Sequence, residues 1–136
     1  MNEFRISQKL MGSGFELKVV CKSWTEAEYM LKLGINEIKR IEDLISEFKE
    51  DSLTSLINRN AGIQPVRVNQ EVFDLIERSL KLSALTQGAF DISTGPLKKL
   101  YRFKNKKFSF PKKEIIQKAI SKVGWKKIEL APSDLS

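Results

Sequence analysis

Thr86-Gln87-Gly88-Ala89-Phe90-Asp91-Ile92-Ser93-Thr94-Gly95-Pro96-Leu97 is the stretch that decides how this chain is interpreted. It follows a segment with helical spacing of apolar residues. Gly88 is expected just past the helix end, because glycine enters the left-handed conformation without a Cβ clash. Asp91 stands between Phe90 and Ile92, which we expect to be held inward. The carboxylate is therefore predicted to be placed by its neighbours rather than freely solvated.

A purely structural interpretation of this stretch is also open. Asp91 or Thr94 is well suited to cap the short helix that is predicted from Gly95 onward. A single acidic loop residue requires no more explanation than that. Residue chemistry alone therefore leaves both a binding loop and a capping loop.

The first half of the chain is predicted to form a strand pair followed by a long helix. Residues 4–9 and 15–21 alternate apolar and polar side chains, with a turn at Gly12-Ser13-Gly14. Ser23-Trp24-Thr25-Glu26 is a capping-box pattern. An apolar stripe follows on the long helix, and its members are Ala27, Met30, Leu31, Ile38, Ile41, Ile45 and Phe48. The stripe is predicted to face the core, except for Phe48, which lies where the helix gives way to a loop.

Helices and short strands are predicted to alternate through the second half. A short helix is predicted between Asp51-Ser52 and Asn58, and a strand at 66–68. A longer helix is predicted from Asn69, and its inward residues are Val72, Phe73, Ile76, Leu80 and Ser83. The next helix is opened by Pro111 and stopped by Gly124, with Ile115, Ile116, Ala119, Ile120 and Val123 inward, and a strand at 126–130 follows it. The expected fold class is α+β with α/β-like alternation, in which long amphipathic helices pack on a mixed, mostly antiparallel sheet. One domain is expected over residues 1–130, followed by a polar tail at 131–136.

Composition excludes several classes of site. The chain has 136 residues, a formal net charge of +7, one cysteine and no histidine. A histidine-based catalytic triad or zinc site is therefore excluded within it. Cys21 is predicted to be a buried strand residue. No apolar run approaches the roughly 20 residues that cross a bilayer, and the N-terminus lacks the apolar core of a signal peptide, so the chain as written is expected to be soluble and cytoplasmic.

The positive charge is concentrated in residues 98–127, which contain eleven lysines and Arg102 but only one acidic residue, Glu114. Tyr101, Phe103, Phe108 and Phe110 are interleaved with these lysines. Such a pattern is compatible with a nucleic-acid surface. Its period of two favours a short hairpin with alternate rings buried and the lysines solvated.

Four segments, in this order along the chain, resemble the sequence signature of the ApbE family of FAD:protein FMN transferases. The family's MGT element is matched by Met11-Gly12-Ser13, and its helix-end pattern by Ile41-Glu42, residues 46–52 and Asn58. Its GAFD-ITxGPL signature resembles Gly88-Ala89-Phe90-Asp91-Ile92 followed by Gly95-Pro96-Leu97. Its VGW element resembles Val123-Gly124-Trp125. The resemblance extends from about Phe4 to Leu130. It implies an N-terminal portion of an ApbE-like fold.

The resemblance implies a Mg²⁺-dependent transfer of FMN from FAD to a serine or threonine hydroxyl of a target protein, with release of AMP. It implies FAD-contacting positions at Met11, Phe48, Ala89, Phe90 and Asp91, and no catalytic or metal-binding residue in this chain. Met11 offers a polarisable surface. Phe48, where the family usually has tyrosine or tryptophan, keeps a ring for stacking. Asp91 is expected to accept a hydrogen bond from an adenine amine, a ribose hydroxyl or a flavin N–H.

Family members are longer, and they continue into a glycine-rich D-x-GG-x-x-KG segment and later Asp and Thr residues that hold the metal. The resemblance therefore implies that this chain alone has an incomplete flavin site, lacks the magnesium ligands and is inactive, with a sheet edge open to self-association. The implied partners are FAD and target subunits with a D-G-x-[ST]-G-A-[ST] motif, and no nucleic acid. Many family members are periplasmic, anchored to the inner membrane as lipoproteins. A non-catalytic flavin- or nucleotide-binding module and a small basic nucleic-acid binder are the alternatives.

Overall fold

The computed structural model of the chain describes residues 1–101 and 110–136. Its internal contacts divide the chain into two compact units, Met1–Val66 and Arg67–Ser136. The prediction of a single domain over residues 1–130 stays a prediction. The fold class is α+β, as expected from the sequence.

The first unit begins with an antiparallel hairpin of two strands, β1 (Asn2–Leu10) and β2 (Ser13–Cys21). Leu10 pairs with Ser13, so the connecting turn contains only Met11 and Gly12. The predicted turn at residues 12–14 was wrong by one position, because Met11 and Gly12 have the two positive φ angles that a tight hairpin turn requires.

One face of this hairpin is covered by helix α1 (Trp24–Ile45), whose Ala27, Leu31 and Ile35 are buried. Gly34 allows the close approach, since a Cβ atom there would lie 2.8 Å from Leu17 Cδ2. The opposite face carries exposed ion pairs, such as that between Lys18 and Glu16 at 3.2 Å. The period-two pattern of the strands therefore predicted the two faces correctly.

The start of α1 confirms the predicted serine cap, while the glutamate reaches back one residue further than a capping box requires. Ser23 Oγ accepts a hydrogen bond from Glu26 N at 3.3 Å, and Glu26 Oε2 accepts one from Lys22 N at 3.2 Å. Cys21 is buried, as predicted, and its thiol donates to the Ser23 carbonyl at 3.2 Å. The helix ends at Ile45, before Phe48. Phe48 is exposed, as its position predicted, but the prediction that Met30 faces the core was wrong, since it is also exposed.

Helix α2 (Leu53–Asn60) completes the first unit and begins at the N-cap residue Ser52. Asn58 lies inside this helix, so the prediction that it ends the helix was wrong by two residues. The helix continues because nothing at Asn58 interrupts the backbone hydrogen-bond pattern, and the chain turns only after Asn60, whose carbonyl accepts from Ile63 N at 2.9 Å.

The second unit is organised around α3 (Gln70–Leu85), with α4 (Gly95–Lys98), α5 (Lys113–Ile120) and a 3₁₀ turn (Trp125–Lys127) after it. Asn69 caps α3 as predicted, its Oδ1 accepting from Val72 N at 2.9 Å. Val72, Phe73 and Ser83 are buried along α3.

Several predicted elements of this unit were wrong. Residues 66–68 form no strand. Val68 N donates to the Leu135 carbonyl at 2.9 Å, but this single backbone bond is not part of a strand ladder. The predicted strand at 126–130 begins as the 3₁₀ turn, because Lys127 N donates back to Gly124 O at 2.9 Å. Helix α5 begins at Lys113 rather than at Pro111 and ends at Ile120 instead of Gly124, and Ile115 and Ile120 are exposed. The hairpin was predicted over residues 101–110, and residues 102–109 of it lie outside the described residues.

Within the described ranges, none of the helices is long and apolar enough to cross a membrane.

Candidate functional site

The hairpin turn in the first unit holds Met11 in an uncommon backbone conformation. Its φ angle is 49°, that of Gly12 is 77°, and the Met11 side chain is 41% exposed. A side chain with a Cβ is disfavoured at positive φ, where hairpin turns prefer asparagine or glycine. Methionine is therefore not the residue that the turn itself would favour, which is consistent with a role for its side chain.

Phe48 lies in the loop of residues 46–52, between α1 and α2, and is 83% exposed. The loop backbone is closed by local hydrogen bonds. Lys49 N donates to Ser46 O and Ser52 N donates to Lys49 O, each at 3.2 Å. Phe48 N donates to the Ser46 hydroxyl oxygen at 3.3 Å. A large ring is thus presented on a turn that is closed by backbone hydrogen bonds.

Ser52 joins this loop to the start of α2. Its hydroxyl donates to the Ser46 carbonyl at 2.6 Å and accepts from Ser55 N at 3.1 Å. The side chain is almost completely buried. Ser52 is therefore both a helix cap and a bridge across the base of the loop that carries Phe48.

In the second unit, the loop of residues 88–94 begins where α3 ends. Gln87 and Gly88 have φ angles of 53° and 86°, and Gly88 N donates to Ser83 O at 2.8 Å. This is a Schellman ending, completed by a bond from Gln87 N to Ala84 O at 3.1 Å. The left-handed position is filled by Gln87, with Gly88 one residue later than a simple glycine stop predicts.

Ala89 and Phe90 follow this helix end with their amides directed back to Thr86. Ala89 N donates to the Thr86 carbonyl and Phe90 N to the Thr86 hydroxyl oxygen, each at 3.1 Å. Phe90 and Ile92 are 39% and 40% exposed. The prediction that these two side chains are held inward was wrong, because polar contacts rather than apolar burial hold the loop.

Asp91 accepts three hydrogen bonds from the chain. Its Oδ1 accepts from Ser93 N at 2.7 Å and from Ser93 Oγ at 2.6 Å. Its Oδ2 accepts from Trp125 N at 3.1 Å. A carboxylate has about four acceptor positions, so one remains on Oδ2 for a further donor.

Ser93 and Trp125 extend this arrangement into a link between two distant stretches of sequence. Ser93 Oγ, which donates to Asp91, accepts from Gly124 N at 2.7 Å. The Trp125 side chain lies against Gly88, where a Cβ atom would be 3.4 Å from the indole Nε1. The loop and the Gly124-Trp125 segment are therefore joined by both hydrogen bonds and a close backbone approach.

The electrostatic balance at Asp91 favours the ionised carboxylate. Partial burial raises its pKa, but the hydrogen bonds from the Ser93 side chain, the Ser93 backbone and the Trp125 backbone lower it, and the net pKa lies below the ordinary value. Asp91 is therefore an acceptor for hydrogen bonds at neutral pH and not a general acid.

The capping interpretation of this loop is wrong for both residues. Thr94 occupies the N-cap position of α4, but its side chain makes no capping hydrogen bond. Asp91 binds residues 93 and 125 rather than the first turn of α4. The proposed contact of Asp91 with a ligand stays a prediction.

Sequence reasoning assigned no role to three residues that hold these loops. Ser93 completes the Asp91 arrangement, while Ser55 Oγ and Arg59 Nη1 donate to the carbonyls of Glu47 and Glu50 at 3.2 Å and 2.7 Å. The spacing of Ser52 and Ser55 is that of a helix cap and its third residue, which gives a sequence signal for Ser55. The long-range partners of Ser93 left no such signal.

Over residues 1–101 and 110–136, no group of three acidic or cysteine side chains is arranged to hold a metal ion.

Comparison with known proteins gives consistent matches. The family model described as "ApbE family" matches residues 11–136. A FAD:protein FMN transferase from Klebsiella pneumoniae is 36% identical over 99 residues, covering 73% of this chain and 30% of that protein. One from Vibrio cholerae is 24% identical over 102 residues, covering 74% of this chain and 30% of that protein. The chain spans about 30% of the length of these curated relatives.

Solved structures give the same fold. The ApbE protein from Thermotoga maritima aligns with a TM-score of 0.83 and 25% identity, covering 98% of this chain and 43% of that one. The flavin transferase ApbE from Vibrio cholerae aligns with a TM-score of 0.85 and 22% identity, covering 99% of this chain and 45% of that one.

Proposed function

Because the chain belongs to the ApbE family, we propose that it takes part in the transfer of FMN from FAD to a serine or threonine hydroxyl of a target protein. The hydroxyl oxygen forms a bond to the FMN-side phosphorus of FAD. The bond from that phosphorus to the AMP oxygen breaks, AMP leaves, and the hydroxyl proton is released. The product carries FMN through a phosphoester. The observation that supports this most directly is the family match over residues 11–136.

Phosphoryl transfer of this kind depends on positioning and on charge stabilisation more than on covalent help from the protein. The part that we assign to this chain is binding and orientation of FAD. We propose that the metal-dependent part of the reaction involves further polypeptide, because the chain spans about 30% of the length of the curated relatives that it matches.

The proposed FAD contacts in the first unit are Met11 and Phe48. The exposed ring of Phe48 on a hydrogen-bonded loop suits stacking against a planar ring. Met11 adds a polarisable side chain on a turn whose conformation is unfavourable for it.

The proposed contacts in the second unit are Ala89, Phe90 and Asp91. The amides of Ala89 and Phe90 are used inside the chain, so these two residues are proposed to contact FAD through carbonyl oxygens or side chains. The remaining acceptor position of Asp91 suits a neutral donor such as an amine or a hydroxyl. Its negative charge disfavours a position beside the pyrophosphate.

The direct test is FAD binding to this chain by calorimetry or flavin fluorescence, with and without Mg²⁺. We expect micromolar binding that does not depend on Mg²⁺. Phe48→Ala should weaken it by about tenfold, since an aromatic contact contributes roughly 0.5–1.5 kcal/mol beyond its buried area. Ile63→Ala, which removes another exposed apolar side chain of the first unit, is the matched control and should change nothing.

The outcomes separate the proposed activity from its alternatives. AMP release in the presence of Mg²⁺, an acceptor peptide of the D-G-x-[ST]-G-A-[ST] type and the remaining family polypeptide supports the transferase. FAD binding without AMP release under those conditions supports a non-catalytic flavin-binding module. Equal FAD affinity of the Phe48→Ala and wild-type proteins contradicts the proposed contact.

A further inference from the structure

The loop that carries Phe48 is held by side chains of the helix that follows it. The carbonyls of residues 46, 47 and 50 each accept a hydrogen bond from a side chain that caps or belongs to α2. The donors are the hydroxyls of Ser52 and Ser55 and the guanidinium of Arg59, and the distances are 2.6, 3.2 and 2.7 Å.

Ser55 and Arg59 have no need of these contacts to form α2. A serine in the first turn of a helix and an arginine in the last turn normally direct their polar groups to solvent. Both are instead directed to the preceding loop, on the two sides of Phe48 in the sequence. Arg59 extends to the Glu50 carbonyl, nine residues earlier. Ordering two flexible side chains in this way costs conformational entropy, which the hydrogen bonds to the loop offset.

The loop in turn holds Phe48 where it is 83% exposed. Exposure of a phenylalanine ring forgoes the favourable free energy that its burial would contribute. This segment combines a loop that is closed by hydrogen bonds with a largely exposed aromatic ring. This combination is the arrangement that reduces the entropy lost when a planar ligand stacks on the ring.

We propose that Ser55 and Arg59 are positioning residues, which hold the loop of residues 46–52 so that the Phe48 ring is preorganised to stack on a planar ring of FAD. This inference rests on the proposed function for the identity of the ligand. It does not rest on that function for the holding of the loop, which is a property of the free protein.

The ligand test is a double-mutant cycle in FAD binding. Ser55→Ala and Arg59→Met should each weaken FAD binding by about threefold to tenfold, the range that one net hydrogen bond provides. In a Phe48→Ala background the same changes should have almost no further effect, because they act through the ring. Ser55→Thr, which keeps the hydroxyl, should restore the affinity.

Two control variants accompany the cycle. Thr54→Ala removes the neighbouring hydroxyl in α2. Arg67→Met removes a similar arginine-to-carbonyl bond in the second unit, from Arg67 Nε to Asp134 O at 2.9 Å. Neither should change FAD affinity. Additive losses in the Phe48→Ala background, or equal losses in the controls, overturn the inference.

A measurement without FAD tests the holding of the loop. Amide hydrogen exchange at Lys49 and Ser52, whose N–H groups close the loop, should be protected in the wild type and several times faster in Ser55→Ala and Arg59→Met. Thr54→Ala should leave it unchanged. Absence of FAD binding by the wild type counts against the proposed function, and the exchange data then decide the positioning role. Unprotected amides in the wild type, or unchanged exchange in both the Ser55→Ala and Arg59→Met variants, overturn the positioning role.

Discussion

The two candidate loops, residues 46–52 in the first unit and residues 88–94 in the second, are held in different ways. The first is closed by side chains that lie six to nine residues further along the chain, in the helix that immediately follows. The second is closed by the amides of Gly124 and Trp125, 31 and 34 residues beyond Ser93 and Asp91. A loop of the first kind forms with its own helix. A loop of the second kind depends on the packing of its whole unit.

The largest expected effect is the loss of the long-range link through Asp91→Ala. Three hydrogen bonds to a carboxylate are removed, and the amides of Ser93 and Trp125 lose their partner, so the free energy of unfolding of the second unit should fall by about 2–3 kcal/mol. Urea unfolding monitored by Trp125 fluorescence in a Trp24→Phe background measures it. Asp74→Ala, at an exposed α3 carboxylate, is the control, with an expected loss of less than about 0.5 kcal/mol.

A change of less than about 0.5 kcal/mol in Asp91→Ala would show that the link to Gly124 and Trp125 contributes little to stability. The two loops would then differ in sequence separation but not in their dependence on the surrounding unit.

A smaller and reversible decrease in the free energy of unfolding of the second unit is expected on acidification. The pKa of Asp91 in the folded chain lies below its ordinary value, although burial acts to raise it, because the Ser93 and Trp125 hydrogen bonds favour the charged form. Its contribution to stability is therefore complete above the unfolded-state pKa of about 3.9 and is lost as the pH falls through the lower folded-state value. Urea unfolding between pH 6 and pH 3 measures this.

The control for the acid effect is Asp91→Asn, which should be less stable at pH 6 and should show a weaker pH dependence below pH 4. Parallel pH profiles of the wild type and this variant would exclude Asp91 as the group responsible.

The backbone of the second loop provides the next test of how the two loops differ. Gly88→Ala should destabilise the second unit by about 1–2 kcal/mol, because alanine is strained at a φ of 86° and its Cβ would lie 3.4 Å from Trp125 Nε1. Gly62→Ala is the matched control, since Gly62 also has a positive φ, of 76°, but no atom lies within 4 Å of a Cβ there. This change should cost only about 1 kcal/mol, from backbone strain alone. Equal effects of the two substitutions would contradict the close approach of Trp125.

The smallest expected effect concerns the hairpin turn of the first unit. Met11→Asn should stabilise that unit by about 0.5–1 kcal/mol, since asparagine tolerates the positive φ that Met11 adopts. The same change should weaken FAD binding if the methionine side chain contacts the ligand. Thermal unfolding and FAD calorimetry on one preparation measure both. A more stable variant with unchanged affinity would remove Met11 from the proposed contacts.

Much of the local structure follows from short-range sequence signals. The caps at Ser23, Ser52 and Asn69 each form a hydrogen bond to the amide three residues later, as their residue types predict. The hairpin faces follow from the alternation of side chains. The failed strands at 66–68 and 126–130 show the limit of this approach, because a strand requires a partner that a short apolar run does not identify.

Short-range signals predict the starts of α1, α2, α3 and α4, the apolar face of the hairpin, and a distinctive loop at residues 88–94. These features depend on neighbours within a few residues, so the sequence pattern contains them. The hydrogen bonds from Gly124 N to the Ser93 hydroxyl and from Trp125 N to the Asp91 carboxylate, in contrast, are visible only in the folded unit. These bonds require two segments more than 30 residues apart to meet, and packing of the unit, rather than local preference, brings them within hydrogen-bond distance.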